Sequence, residues 1–186
     1  ALWIASLRLV ARKIDAEWNA LAERAALALA RLYVVKEGWL ADCLRAKAGE
    51  PAERAPQEDT LRPNQLLAVT LGVPLAPELA RAAVGACEQL LVPGAIRSLA
   101  DRSVLAECGV WRDGTLLNDP HRPYQGHYLG DEDTRRKPAY HNGTAWSWMF
   151  PLYVEALVLL YGESARVTGL SLLGSAVERL NGGCLG

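Results

Sequence analysis

Apolar residues recur early in the chain at three- and four-residue steps: Trp3, Leu7, Val10 and Ile14, then Trp18, Leu21, Ala25, Ala28, Leu29 and Leu32. That period returns side chains to one face of a 3.6-residue helical turn, so the stripe predicts amphipathic helix. Asp15 is placed to cap a fresh start, which predicts two helices rather than one. From Tyr33 to Leu44 the helical period is lost around Gly38, and a short hairpin or irregular return is expected. The charged stretch from Arg45 to Asp59, interrupted by Pro51 and Pro56, reads as a surface loop.

Pro63 stands where it can open a helix, and "NQLLAVTLG" runs on until Gly72 and Pro74 stop it. Pro77 repeats the device, and Leu79, Ala83, Ala86 and Leu90 give the next helix an inner face that ends at Pro93-Gly94. Ala95 to Tyr140 shows no period and is rich in Gly, Pro, His and Tyr; irregular stretches of that length inside a compact domain tend to be functional. Thr144 is expected to cap a helix with the buried stripe Trp146, Met149, Phe150, Tyr153, Val154, Leu157 and Tyr161, kinked at Pro151 and ended by Gly162. Ser164 is expected to cap the last helix, with Leu170, Leu173, Val177 and Leu180 inward and Gly169 and Gly174 admitting a close neighbour.

Helix pairs joined by alternating short and long connections predict an all-α chain of the kind that builds a toroid of helical hairpins. The opening "ALWIASLRLV" is already in helical rhythm, and "NGGCLG" stops a helix just as a new segment begins. The expectation is one domain over residues 1–186, cut from a longer polypeptide at both ends.

Composition narrows the function. The 186 residues are 51% hydrophobic and 22% charged, with a formal net charge of -1, so there is no basic field to drive counterion release from nucleic acid. The best apolar run, Met149 to Tyr161, is shorter than the roughly 18 residues of a membrane span and carries Glu155; it reads as a core helix, and no membrane partner is expected. Cys43, Cys87, Cys108 and Cys184 have wide spacings and no CxxC pair, which argues for reduced thiols in a cytoplasm over a zinc site or disulfide framework.

What remains is a concentration of rings and hydrogen-bonding groups: Tyr124, His127, Tyr128, Asp131, Tyr140, His141, Asn142, Trp146 and Trp148, with Arg62, Asn64 and Gln65 at another helix start. A pyranose presents C–H groups on its faces and hydroxyls around its rim, so it suits aromatic faces beneath it and amide, carboxylate, guanidinium and imidazole groups at its edge. Met149, Phe150 and Tyr153 read as core, whereas Trp146 and Trp148 cannot both face inward on one helix. The run "DEDTRRK" reads as a solvated charged face, Asp131 excepted. His121 and His127 with Asp131 are too loosely spaced for a metal site, and none is expected.

Three blocks, "LRPNQLLAVTL", "LLVPGAIRSLA" and "YQGHYLGDEDTRRKPAYHNGTAWSWMFPLYVEA", in that order and at those separations, resemble the C-terminal domain of glycogen debranching enzymes, the amylo-alpha-1,6-glucosidase module; "ALW" and "GGCLG" also resemble family segments. The resemblance implies an (α/α)6 toroid of which this chain is roughly the second half. It implies inverting hydrolysis of α-1,6-linked glucosyl branches in glycogen or limit dextrin, without metal or organic cofactor, by an acid and a base about 6.5 to 9.5 Å apart.

The family's acid lies upstream of the block that "ALW" resembles, and the base follows the block that "GGCLG" begins, so both are expected outside the chain. The glutamate of eukaryotic relatives is replaced here by Ala145. Asp131 and Glu132 are the weak in-chain candidates. Arg62, Asn64, Gln65, Tyr124, His127, Tyr128, Tyr140, His141, Asn142 and Trp146 are the substrate-binding expectations, with an α-glucan as partner. The chain alone is expected to be inactive and to need the rest of its domain or a self-association contact. Rival readings are a glucoamylase-like toroid glycosidase and a noncatalytic carbohydrate-binding or protein-interaction module.

Overall fold

The computed structural model describes residues 1–183; Cys184 and the end of the closing "GGCLG" block lie outside the described residues. About half of the chain is helical, with a few short strands, which agrees with a mostly α architecture. Helices α1 (Leu2–Lys13) and α2 (Trp18–Leu32) pack along each other across a four-residue link. Asp15 closes that link by accepting the Glu17 N–H at 2.9 Å. The buried face of α1 is Ile4 and Leu7, while Trp3 and Ile14 face solvent, so the predicted stripe was out of phase. The reason lies on α2, which packs on α1 with small residues buried, Ala22 and Ala26, and Ile4 shares a core cluster with Ala26.

After α2 the chain makes the hairpin-like return, with Val34 bridged to Leu40, the Val35 N–H donating to the Trp39 carbonyl and Gly38 in the left-handed region at φ 93°. Trp39, Leu40 and Ala41 are buried by it, and the next residue, Asp42, is thereby set beside the start of the following helix. Pro63 opens a 3-10 turn, Pro63–Gln65, that runs into α3 (Leu66–Thr70). Pro77 opens α4 (Pro77–Ala86). At both starts the missing proline N–H is one the helix could not have bonded internally.

The region read as irregular contains short pairings. Strands β1 (Leu91–Val92) and β2 (Ala95–Arg97) form a hairpin about Pro93-Gly94, and β3 (Trp111–Arg112) pairs with β4 (Thr115–Leu116). Asp113 and Gly114 both have positive φ, at 48° and 78°, as a two-residue hairpin turn requires. A π-helical turn, Glu132–Arg136, leads into α5 (Lys137–Tyr140). Strand β5 (Ala145–Trp146) then adds antiparallel to β2.

Two local expectations are corrected here. Trp146 lies on that strand and not on a helix, and Thr144 bonds the Ala139 carbonyl through its hydroxyl at 2.9 Å, finishing α5 instead of starting α6. Helix α6 (Phe150–Tyr161) begins later, with Pro151 in its first turn, where a proline is accommodated, and not in the helix interior, where it would kink the helix.

Helix α6 is the centre of the fold. Phe150, Tyr153, Ala156 and Leu157 pack with Leu66 and Val69 of α3, Val84 of α4, Ile96 of β2 and the indole of Trp39. Each such large side chain taken fully out of water contributes about 1.5–3 kcal/mol. Gly162, at φ 59°, ends α6, and after a 3-10 turn (Gly162–Ala165) helix α7 (Arg166–Asn181) folds back on it. A Cβ at Gly169 would lie 3.0 Å from Val154 Cγ1, so the expected close approach occurs there, while Gly174 faces open space.

That contact fixes the rotation of α7 and overturns its expected inner face: Leu172 and Ala176 reach the core, whereas Leu170, Val177 and Leu180 are exposed, as is Val167. Ser164 returns its hydroxyl to the Tyr161 carbonyl and caps nothing in α7. By length and composition the helical run Phe150–Asn181 could cross a membrane. The fold-back that sets Gly169 against Val154 makes it two packed helices instead of one rod.

Candidate functional site

The hydrogen-bond hub at the mouth of α3 is Arg62. Its position just before Pro63 forces it extended, at φ -127° and ψ 154°, so its side chain leaves the helix start sideways. One terminal nitrogen donates to the His141 carbonyl and reaches toward the Ser98 carbonyl at 3.4 Å; the other donates to Asn142 Oδ1 at 2.9 Å. Nε lies 3.4 Å from Asp42 Oδ2, within ion-pair range but not aligned for a hydrogen bond. Asp42 Oδ1 accepts from Asn64 Nδ2 at 2.7 Å. The guanidinium thus ties three distant segments, the return after α2, strand β2 and the loop after α5, to the start of α3.

Over this polar floor stands a group of rings. Tyr140 and Trp146 meet with centroids 4.4 Å apart at a tilted 52°, and the Trp146 indole N–H donates to the Tyr140 carbonyl at 2.9 Å. Tyr128 meets both edge-on, at 5.9 and 6.4 Å, and His141 lies against Tyr140 at 4.7 Å. Tyr140, His141 and Trp146, together with Asp42, Arg62, Asn64, Ser98 and the exposed indole of Trp148, border a cleft of about 710 Å³. Its chemistry is apolar π-faces beside fixed amide, carboxylate and guanidinium groups, the pattern that a neutral polyhydroxylated ring requires.

The family described as amylo-alpha-1,6-glucosidase matches residues 1–181. The chain belongs to that family. No curated protein and no solved structure matches it. Membership makes the chain a glycosidase-related domain of the glycogen-debranching type.

Against that family background the cleft gathers Arg62, Asn64, Tyr140, His141 and Trp146, with Tyr128 touching its rings. Other expected site residues are placed elsewhere. Gln65 is buried, with its amide oxygen accepting the Leu40 N–H and its amide nitrogen donating to the Arg62 carbonyl, so it splices the return onto α3. Asn142 uses both amide atoms in the scaffold, accepting from Arg62 and donating to the Pro138 carbonyl at 2.8 Å. Tyr124 supports the loop from behind: a Cβ at Gly143 would lie 2.8 Å from its ring. It faces a separate small hollow with Asp101, Arg102 and Arg122. His127 is exposed, without a hydrogen bond or ring contact to the described residues.

Asp131 and Glu132 also lie away from the cleft. Asp131 caps the π-helical turn, accepting from the Asp133 and Thr134 N–H groups and the Thr134 hydroxyl, and the Thr134 bonds hold its carboxyl below the usual range. A general acid needs the opposite shift. Glu132 pairs with Arg136 and Lys137 at 3.7 Å each. The carboxylate that borders the cleft is Asp42, which the sequence reading passed over. It sits in an apolar segment with no motif around it, and only the bridge of Val34 to Leu40 brings it beside Asn64.

Proposed function

We propose that this chain forms part of an (α/α)6 toroid whose aromatic cleft grips a glucosyl unit of an α-glucan, in a domain that hydrolyses α-1,6-glucosidic branch linkages of glycogen or limit dextrin. The reading rests on one observation above all: the tilted Tyr140–Trp146 pair stands beside the fixed Arg62, Asp42 and Asn64 groups in a single cleft. Sugar C–H groups pack on the rings while hydroxyls exchange water for the polar floor, and every polar group already has its orientation set by a neighbour, which lowers the entropic cost of binding. Hydrolysis in this reading is inverting, with a carboxylic acid and a carboxylate about 6.5–9.5 Å apart on opposite faces of the sugar. The acid and base come from other parts of the domain; Arg62, Asp42 and the rings hold the glucosyl unit in line between them. Toroid neighbours also account for the exposed Val167, Leu170, Val177 and Leu180, an apolar face that such helices would cover.

The test is glucose release from limit dextrin by the protein, paired with isomaltose binding. Trp146→Ala is expected to weaken binding about tenfold or more while far-UV circular dichroism is unchanged. Unchanged affinity would remove the cleft from the reading. A second reading, sugar binding without hydrolysis, is favoured by one feature: among the described residues, the side chains bordering the cleft include a single carboxylate, Asp42. Tight oligosaccharide binding with no glucose released from any α-glucan would establish that alternative.

A further inference from the structure

Asp42 is the carboxylate among the described side chains that border the cleft, and much of its hydrogen-bonding capacity is unused. Both amide atoms of Asn142 are engaged in the scaffold, and both terminal nitrogens of Arg62 are directed at backbone or amide oxygens. Of the Asp42 carboxylate, Oδ1 accepts one bond from Asn64 Nδ2 at 2.7 Å, and Oδ2 accepts none from the described residues although Arg62 Nε stands 3.4 Å away. An ionised carboxylate offers about four acceptor sites, so most of this one remains open. The adjacent guanidinium offsets its charge, and a neutral ligand can therefore dock without leaving an unpaired anion desolvated. The group also borders a second hollow of about 490 Å³, on the side of Tyr33 and Trp3, which places it on the wall between two cavities.

We propose that Asp42 is the specificity-determining residue for a terminal glucose, accepting hydrogen bonds from its adjacent 3- and 4-hydroxyls. The assignment rests on the sugar reading of the cleft. Its chemistry is selective because two O–H donors on neighbouring carbons match the two oxygens of one carboxylate. In an α-1,4-linked chain the 4-hydroxyl is free at the non-reducing end and substituted at every interior unit. An interior unit therefore offers an ether oxygen where Asp42 needs a donor, and two acceptors would face each other. A single glucosyl stub presents both hydroxyls. Asn64 holds the carboxylate plane from one side and Arg62 from the other, so the pair is met by a preset acceptor.

The experiment is a binding cycle on the protein with methyl α-isomaltoside and its analogue lacking the 4-hydroxyl of the terminal glucose. Wild-type protein is expected to bind the deoxy analogue about tenfold more weakly. Asp42→Asn keeps the acceptor for Asn64 but loses the charge and half the acceptor capacity, and with it the two sugars are expected to differ by less than about twofold. A merely structural role for Asp42 would weaken both sugars equally and leave the tenfold ratio in place, which overturns the assignment. Should the variant not fold, the carboxyl carbon resonance of Asp42 in the wild-type protein decides the matter: it is expected to move with the parent sugar and stay still with the deoxy analogue. Equal movement with both overturns the assignment. Binding of neither sugar to wild-type protein overturns the reading of the cleft itself, and the assignment with it.

Discussion

Arg62 is the residue at which the scaffold and the cleft are the same object. Its guanidinium bonds the loop carrying His141 and Asn142 and lies beside the cleft carboxylate, so replacing it alters both. Arg62→Lys keeps the charge but supplies a compact ammonium in place of a planar fork, and it cannot hold Asn142 and His141 together. The expected outcome is a loss of about 1–3 kcal/mol in stability, read from urea denaturation, with a parallel fall in isomaltose affinity. Gly143 makes a cleaner case of backbone control. Its φ of 146° is one that side chains rarely adopt, and a Cβ there meets Tyr124 at 2.8 Å and the Gln125 backbone at 2.9 Å. Gly143→Ala is expected to destabilise by at least about 1–3 kcal/mol and to loosen the Tyr140–Trp146 platform, seen as a change in tryptophan fluorescence.

At the scale of elements, the two ends of α6 are governed by different rules. Pro151 stands in the first turn, where its absent N–H has no intrahelical partner to lose, so Pro151→Ala is expected to change the unfolding free energy, read from urea denaturation, by less than about 0.5 kcal/mol. Gly169, where α7 crosses α6, tolerates no such change. Gly169→Val would press branched methyls into Val154, already at 3.0 Å from the Cβ position, and is expected to cost about 1–3 kcal/mol, measured by thermal unfolding. The sequence told these cases apart only in part. Gly169 and Gly174 suggest a close crossing, which occurs at Gly169, whereas Pro151 reads as a kink when the helix is started at Thr144. That start was misjudged because the ring pattern from Trp146 onward fits a helix as well as a strand followed by a helix, and pairing with Ile96 and Arg97 of β2 decides for the strand.

Over the whole molecule, the adjacent buried carboxylates Glu58 and Asp59 tie the long loops together, Asp59 by accepting from the Leu105 and Ala106 N–H groups. Glu58 accepts from the Thr60 hydroxyl at 2.8 Å and from Arg45 Nε at 3.0 Å, while Arg45 also reaches the Glu107 carbonyl. Burial by itself would push the Glu58 carboxyl up, but the bonds from Thr60 and Arg45 outweigh it and hold it below its ordinary value of 4.5. A carboxyl depressed in the folded state stabilises the protein above its unfolded pKa, and that contribution is lost as pH falls below about 4.5 toward the folded value. Unfolding free energy is thus expected to decline through that acid window, and Glu58→Gln to flatten the decline there. A slope that the variant leaves untouched would assign the acid sensitivity to other carboxyls. The neighbouring Cys43 thiol is pushed up to about 11 by burial and by Glu58, so its alkylation by iodoacetamide at pH 8 is expected to be slow compared with a free cysteine.

The chain by itself determined what short-range chemistry controls. Pro63 and Pro77 set helix starts, Gly38 and Gly162 set reversals, and the aromatic and amide residues around His141 form a cluster of rings and hydrogen-bonding groups. The Asp113-Gly114 turn was equally readable and was missed because the region around it looked shapeless. Only the tertiary structure decided which helix faces are covered, since apolar stripes on α1 and α7 fit more than one rotation and the choice fell to small residues at the contacts, Ala22 and Ala26 on the partner of α1 and Gly169 on α7 itself. It alone decided that Gln65 and Asn142 serve the scaffold while Asp42 serves the cleft. Spacing along a chain fixes which side chains share one element; which polar groups are left with open hydrogen-bonding capacity depends on neighbours brought from twenty to eighty residues away.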